Sequence, residues 1–220
     1  MGFFTDVPEA LNMVNEAALR VASYHFSAVD LDAAVAPDQV DDQHMVAYLA
    51  FYPALRKVLA RQPWRSIARV TTLDFEISNL LGYAYAYSLP ADWIRPVGFW
   101  DGFHLIEPED GLYSRWAVWG NVLYTGFPIT AASYVYIPVF NGYNAADWTA
   151  FLQQMPPMLR ECMVLQIAYD ICYPMKRDLN RKKDLYTELE IALTMAHEQD
   201  AASRQCRISP PGNMIRVRFS

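Results

Sequence analysis

Side chains able to do chemistry are scattered along this chain without the spacing that catalysis needs. The four histidines are His25, His44, His104 and His197. An imidazole can serve as base, proton shuttle or metal ligand, but only beside a partner. His197-Glu198 opens a zinc-helix pattern that Gln199, Asp200 and Ala201 leave without its second histidine. Glu107, Glu109 and Asp110 flank Pro108 and precede Gly111. Paired carboxylates can do acid–base work, yet this composition reads more simply as an acidic turn. No glycine-rich phosphate loop and no nucleophile elbow is present. Cys162, Cys172 and Cys206 are odd in number and lack C-x-x-C spacing, so neither a disulfide framework nor a zinc site is expected. They read as two core thiols and one tail thiol in a reducing compartment. The sequence therefore predicts no enzyme: no catalytic residue, no cofactor site and no metal ligand.

Three other groups could recognise a partner. Lys176, Arg177, Arg181, Lys182 and Lys183 form the one dense basic run. It could touch nucleic acid or form a salt-bridged subunit seam; the simpler reading is a solvated inter-helix corner whose cations answer a helix C-terminus. Tyr83, Tyr85 and Tyr87 alternate with Ala84 and Ala86. Such a stripe could stack bases, but no Lys or Arg interleaves it, which favours core or interface. Trp93, Trp100, Trp116 and Trp119 could line an aromatic ligand site, the feature on which an alternative reading as a small-ligand binder or enzyme rests.

Charge narrows the partners. The chain carries a net charge of −6, yet residues 201–220 hold Arg204, Arg207, Arg216 and Arg218 with no carboxylate, which leaves −10 on the other 200 residues. An acidic body does not wrap DNA, because phosphate contacts need dense Lys and Arg. It could instead repel DNA sliding past it. A third reading, a sequence-independent DNA binder, is the weakest for the same reason. Met1 to Asp6 lacks a basic segment before an apolar core, so no signal peptide is expected, and Asp6 stands where a myristoylation signal needs Ser or Thr. Trp116 to Ala146 is uncharged, but Gly120, Gly126, Pro128, Pro138 and Asn141 interrupt it. Its period of two predicts strands rather than a membrane span.

These groups must be positioned by an α+β fold. An amphipathic helix is predicted over about 6–23, with Asp6 as cap, Pro8 in the first turn and Leu11, Val14, Ala18 and Val21 on one face. An acidic loop follows at 26–42, with Asp30, Asp32, Asp38, Asp41 and Asp42. A second helix should run from about Asp42 to Arg61 with Met45, Leu49, Tyr52 and Leu59 as its apolar positions, kinked or divided at Pro53. From Ile67 to about Asn141 the pattern is strand-like, a small and mostly antiparallel sheet. Leu89-Pro90 forces extended backbone and Asp92 can bond nearby backbone in a turn. Gly120-Asn121 should turn a β-hairpin between Tyr113–Trp119 and Val122–Tyr124. Ser133 to Phe140 is a further strand. Helices return at Ala145–Met155, from Pro157 to about Tyr173, ending at Pro174, and at Asp178–Ala202; the middle one is apolar on most sides and should be buried. The expected organisation is a helical unit of 1–62 and 144–202, an inserted β-rich unit of 63–143, and a C-terminal extension of 203–220.

This order resembles the head-to-tail adaptor family of tailed bacteriophages, particularly the tail tubular protein A group of short-tailed phages. The matching residues are Ala10-Leu11-Asn12 to Leu19, Ala54 to Leu59 with Pro63-Trp64, and Tyr87 to Arg95. Gly120 to Thr125, Trp148 and Gln166-Ile167-Ala168 continue the match. So do Leu179 to Tyr186, Ala192-Leu193, Ala196 and Asp200-Ala201. Together they span about residues 8–202. The chain departs from the family at Val21-Ala22-Ser23, where a glycine is common, and in the acidic loop and the tail, which have no clear counterpart.

The resemblance implies a structural virion protein at the neck, present in the host cytoplasm during assembly. It would form a ring, in this family dodecameric, between the portal protein and the tail nozzle protein. The ring extends a channel through which double-stranded DNA passes without sequence recognition; no membrane is involved. In the tail, Arg204, Arg207, Arg216 and Arg218 would then pair with portal carboxylates. Ile208, Met214, Ile215, Val217 and Phe219 would fill apolar grooves or add an edge strand. Folding of the tail back onto its own subunit is the other reading. Lys176, Arg177, Arg181, Lys182 and Lys183 would contact a neighbouring subunit or the portal.

Overall fold

The computed structural model describes residues 2–22, 24–33, 42–73, 75–77, 82–101, 105–106 and 116–205. Four helices come first: α1 (Phe3–Asp6), α2 (Pro8–Ala22), α3 (Ala28–Ala33) and α4 (Asp42–Arg61). A 3-10 turn at Arg65–Ile67 leads into β1 (Ala68–Thr72), β2 (Phe75–Ile77), β3 (Tyr85–Ser88) and β4 (Trp93–Trp100). Then come β5 (Leu105–Ile106), β6 (Trp116–Trp119), β7 (Val122–Thr125) and β8 (Ala131–Tyr136). The chain closes with α5 (Ala145–Gln154), α6 (Pro157–Lys176) and α7 (Leu179–Gln205). The class is α+β.

The helices follow local chemistry, with several departures from expectation. Pro8 opens α2, where its missing N–H costs nothing. Asp6 does not cap it; its carboxylate accepts from Tyr143 Oη at 2.6 Å. The acidic loop contains α3, whose Asp32 caps α1 by accepting from the backbone N–H groups of Phe4 and Thr5 at 2.8 and 2.9 Å. In α4 the buried stripe is Ala47, Phe51, Ala54, Leu55, Val58 and Leu59, while Leu49 is 60% exposed. Of the four expected apolar positions Leu59 is in this stripe and Met45 and Tyr52 are half-buried; the alanines count as core because helices approach closely there. Pro53 does not divide α4. It sits on the exposed side, and the carbonyl that loses its donor belongs to Leu49, which water reaches.

α6 is sheathed along its length. Leu159, Cys162 to Ala168, Ile171 and Cys172 are all buried, in one core with α2, α4, α5 and α7. It runs through Pro174 to Lys176, beyond the expected stop. Arg177 then takes a left-handed conformation (φ 54°) and donates its N–H to Tyr173 O at 2.8 Å, closing the helix.

The β region is two sheets rather than one. Their orders are β1-β8-β4-β5 and β2-β3-β7-β6, with every neighbouring pair antiparallel. The Gly120-Asn121 hairpin forms as expected between β6 and β7, with Gly120 at φ 61°. The first sheet is a middle layer. Val97 and Val135 join the helical core, as does Ile137 just past β8. Phe99, Ala132 and Tyr134 join a second core with Tyr87, Leu89 and Leu123 of the other sheet side. Val135 and Tyr134 are adjacent, so the period-two alternation of β8 serves both cores.

Candidate interaction surface

The basic run at the α6–α7 corner is divided among different tasks. Arg177 closes α6. Asp178 then caps α7, its Oδ1 accepting from the N–H groups of Asn180 and Arg181 at 2.9 and 3.0 Å. Arg181 points inward: Nε donates to Arg20 O at 3.2 Å and an η nitrogen to Glu188 Oε1 at 2.9 Å. It ties α7 to α2. Lys182 lies over the Tyr169 ring, 4.6 Å from its centroid, and 5.8 Å from that of Tyr173. Lys176 and Lys183 are exposed. Five residues that form one block in sequence thus supply a cap, a strut, an aromatic-seated cation and two exposed charges.

A groove opens beside this corner. Tyr169, Leu179, Lys182, Lys183, Tyr186 and Thr187 line one end. Lys57, Arg61, Gln166 and Leu189 line the other, with Tyr169 and Tyr186 shared between the two. The two tyrosine rings are 5.9 Å apart at the waist. Two of the cations are already matched. Lys57 pairs with Asp170 at 2.8 Å, and Arg61 with Glu190. Gln166 also donates to Asp170. Lys182 and Lys183 therefore set the sign of the groove, which is positive over an aromatic floor.

α7 keeps large apolar side chains in solvent on both flanks of its buried stripe, Leu179 and Tyr186 towards the groove and Ile191 and Met195 on the other flank. Leu179, Tyr186, Ile191 and Met195 are each about half exposed or more. Its inner stripe, Leu185, Leu189, Ala192, Leu193 and Ala196, packs along α6. Near its end, Asp200 accepts from the N–H groups of Arg65 and Ser66, both at 3.0 Å, and so fastens α7 to the junction between the helices and the sheets.

The stretch from Tyr87 to Arg95 is architectural. Tyr87 is buried, and its hydroxyl accepts from Ile129 N–H at 2.8 Å. The turn is closed by Trp93 N–H donating to Pro90 O at 3.1 Å. Asp92 does not bond that turn, contrary to expectation. It accepts from Tyr134 Oη at 3.0 Å and pairs with Arg69 at 2.8 Å, while the Arg69 guanidinium lies 4.1 Å from the Tyr136 ring centroid. Asp92 thereby locks β1 and β8 to the head of β4. Burial, then the neighbouring Asp92 charge, push the Tyr134 hydroxyl up to about 12.

The four tryptophans do not converge on one site. Trp93 stacks on Tyr134 at 4.6 Å and Trp116 meets Phe99 edge-on. Trp100 and Trp119 are 37% and 61% exposed. Trp93 and Trp100 stand at opposite ends of β4, about 23 Å apart at strand spacing. Of the tyrosine stripe, only Tyr85 and Tyr87 lie in a strand; Tyr83 packs against Tyr124.

Cys162 and Cys172 are buried free thiols. Burial, reinforced by Glu161, pushes the Cys162 thiol up to about 12; burial, reinforced by Asp178, raises Cys172. His25 and His197 are exposed, and His44 packs against Tyr24 and Phe26. Among the described residues, no three His, Cys, Asp or Glu side chains gather as a metal site, and no helix is long and apolar enough to cross a membrane. His104, Glu107, Glu109, Asp110 and Cys206 lie outside the described residues, as do Arg207, Ile208, Met214, Ile215, Arg216, Val217, Arg218 and Phe219. The backbone of Arg204 is in the last turn of α7, which extends to Gln205, three residues past the expected end.

Sequence reasoning missed Lys57, Arg61, Tyr169 and Tyr186 as groove residues. They come from three helices, and no local spacing links them. No protein-family model and no curated protein matches the chain.

Proposed function

We propose that this chain is a structural virion protein, a head-to-tail adaptor that assembles as a ring between a portal and a tail nozzle. The observation that carries this reading is α7. It is a 27-residue helix whose inner stripe seals the subunit core and whose two flanks keep Leu179 with Tyr186, and Ile191 with Met195, in solvent. Exposed apolar residues of this size along one helix favour a protein partner. The sequence resemblance supplies the kind of partner: copies of the chain itself, and the proteins above and below it.

In this reading the buried α6 and its surrounding helices form the ring wall, and the β region points towards the nozzle. The tail after Gln205 reaches the portal, with Arg207, Arg216 and Arg218, and Arg204 at its root, meeting carboxylates and the intervening apolar side chains filling its grooves. The acidic body repels DNA phosphates and so leaves the channel free for passage. The ligand-binding alternative has no comparable support, because the tryptophans it depends on are dispersed.

Truncation after Gln205 tests the tail. The shortened chain is expected to keep its thermal unfolding transition and to lose binding to the portal of its virus. Retained portal binding would remove the tail from the mechanism.

A further inference from the structure

We propose that α7 joins neighbouring copies head to tail: the groove flank of α7 in one copy receives the opposite flank of α7 in the next. The inference rests on the ring reading and specifies the contact between its subunits.

A ring of identical subunits needs a heterologous interface, in which two different surfaces of one chain complement each other. The groove is one such surface. Its floor is the Tyr169–Tyr186 pair with Leu179, and Lys182 and Lys183 give it a positive sign. It calls for a partner surface that is apolar and acidic together.

The second surface is on the same helix. Ile191 and Met195 are 58% and 52% exposed, and Asp184 and Glu198 are exposed as well. Steps of seven, four and three residues separate Asp184, Ile191, Met195 and Glu198. Each step is close to a whole number of helical turns, so the four stand in one row. Glu188 falls in the same row, half-buried and paired with Arg181 at 2.9 Å. The row offers apolar contact to Leu179 and the tyrosines, and carboxylates to the two lysines.

The row and the groove cannot meet within one chain. At about 100° per residue, Ile191 and Met195 point on average about 150° away from Leu179 and Tyr186 around the axis. Neighbouring helices mark the two sides. Glu190, on the groove side, pairs with Arg61 of α4, whereas Arg181, on the other, donates to Arg20 O of α2. One unbroken helix carries both surfaces and holds them apart, so each finds its complement only on another copy. Charge also decides against a two-fold pair. Row on row would gather Asp184 and Glu198 with their own copies, and groove on groove would gather the lysines with theirs. A head-to-tail contact sets opposite signs together and leaves one groove and one row open at the ends. It therefore repeats until the subunits close.

Charge reversal tests this. One variant carries Lys182→Glu and Lys183→Glu, the other Asp184→Lys and Glu198→Lys. Circular dichroism and thermal melting check that each folds; Glu198→Lys alone replaces the second if Asp184→Lys weakens the first turn of α7. Self-association of the full chain is measured by sedimentation over a range of concentrations at low and high salt. The wild type is expected to form salt-sensitive multimers larger than a dimer, and each variant alone to associate at least tenfold more weakly. An equimolar mixture of the two is expected to recover assembly, since each supplies the sign the other has lost. Variants that assemble like the wild type, a mixture as weak as its components, or a salt-insensitive wild-type multimer would overturn the α7 contact and leave the ring reading standing. A wild type that is monomeric at every concentration would overturn the α7 contact too, and would leave ring formation to the portal. Assembly that stops at a dimer would overturn both.

Discussion

α6 and α7 are neighbouring long helices with opposite fates. α6 presents buried residues on almost every side, from Leu159 to Cys172. α7 buries one stripe and leaves Leu179, Tyr186, Ile191 and Met195 facing water. Their sequences differ accordingly. α6 carries one charge between Cys162 and Tyr173, Asp170, held by Lys57, whereas α7 mixes charged and apolar residues everywhere outside its buried stripe. The contrast teaches that one helix holds the fold while the other keeps apolar surface in solvent, the surface that the proposed function assigns to partners.

Breaking α6 should have the largest effect. Ile167 is fully buried, and Ile167→Ala is expected to destabilise the chain by about 2–5 kcal/mol, lost packing plus a cavity. Denaturant unfolding would read this directly. The same change at Ile191 on α7, 58% exposed, should alter stability by less than about 0.5 kcal/mol. Equal losses at the two sites would erase the contrast.

The β region should respond between these extremes. Asp92→Ala removes the acceptor of Tyr134 Oη and the partner of Arg69, and is expected to cost about 1–3 kcal/mol in the same unfolding measurement. The lock also has a pH signature. The Tyr134 hydroxyl is raised to about 12 in the folded chain, so its neutral form is favoured there. Its contribution is fully present below the unfolded tyrosine value of about 10 and is lost as pH rises towards 12. Tyr143, raised to about 12 chiefly by its hydrogen bond to Asp6, titrates in the same window and sense. Unfolding midpoints should therefore fall from pH 10 to 12, and less so in Tyr134→Phe. An unchanged slope in that variant would remove Tyr134 from the effect.

The thiols sharpen the contrast at no cost in stability. Cys162 and Cys172 are buried on α6 and raised above the usual thiol range. Mass spectrometry after brief alkylation at neutral pH should find both unmodified in the native chain and modified once it unfolds.

Local chemistry made some of this legible in advance. Gly120-Asn121 turned its hairpin, and the all-round apolar pattern of α6 marked it as central. Where a choice depended on a distant partner, the sequence misled. Asp92 looked like a turn residue because its real partners, Arg69 and Tyr134, arrive on other strands. Leu49 looked like core because Ala47 and Ala54 gain their weight only from close helix packing. Pro53 looked like a kink or break and Pro174 like a stop, yet one lies on a wet face and the other in a final turn closed by Arg177. The groove is the extreme case, since Tyr169 and Tyr186 meet only when α7 folds back along α6.

The account stands on α7 as a surface for assembly. Electron micrographs of the purified chain, alone and with the portal protein that the proposed function assigns to it, test this most directly. Rings with an axial channel are predicted in at least the mixed sample. Isolated compact particles in both would contradict it.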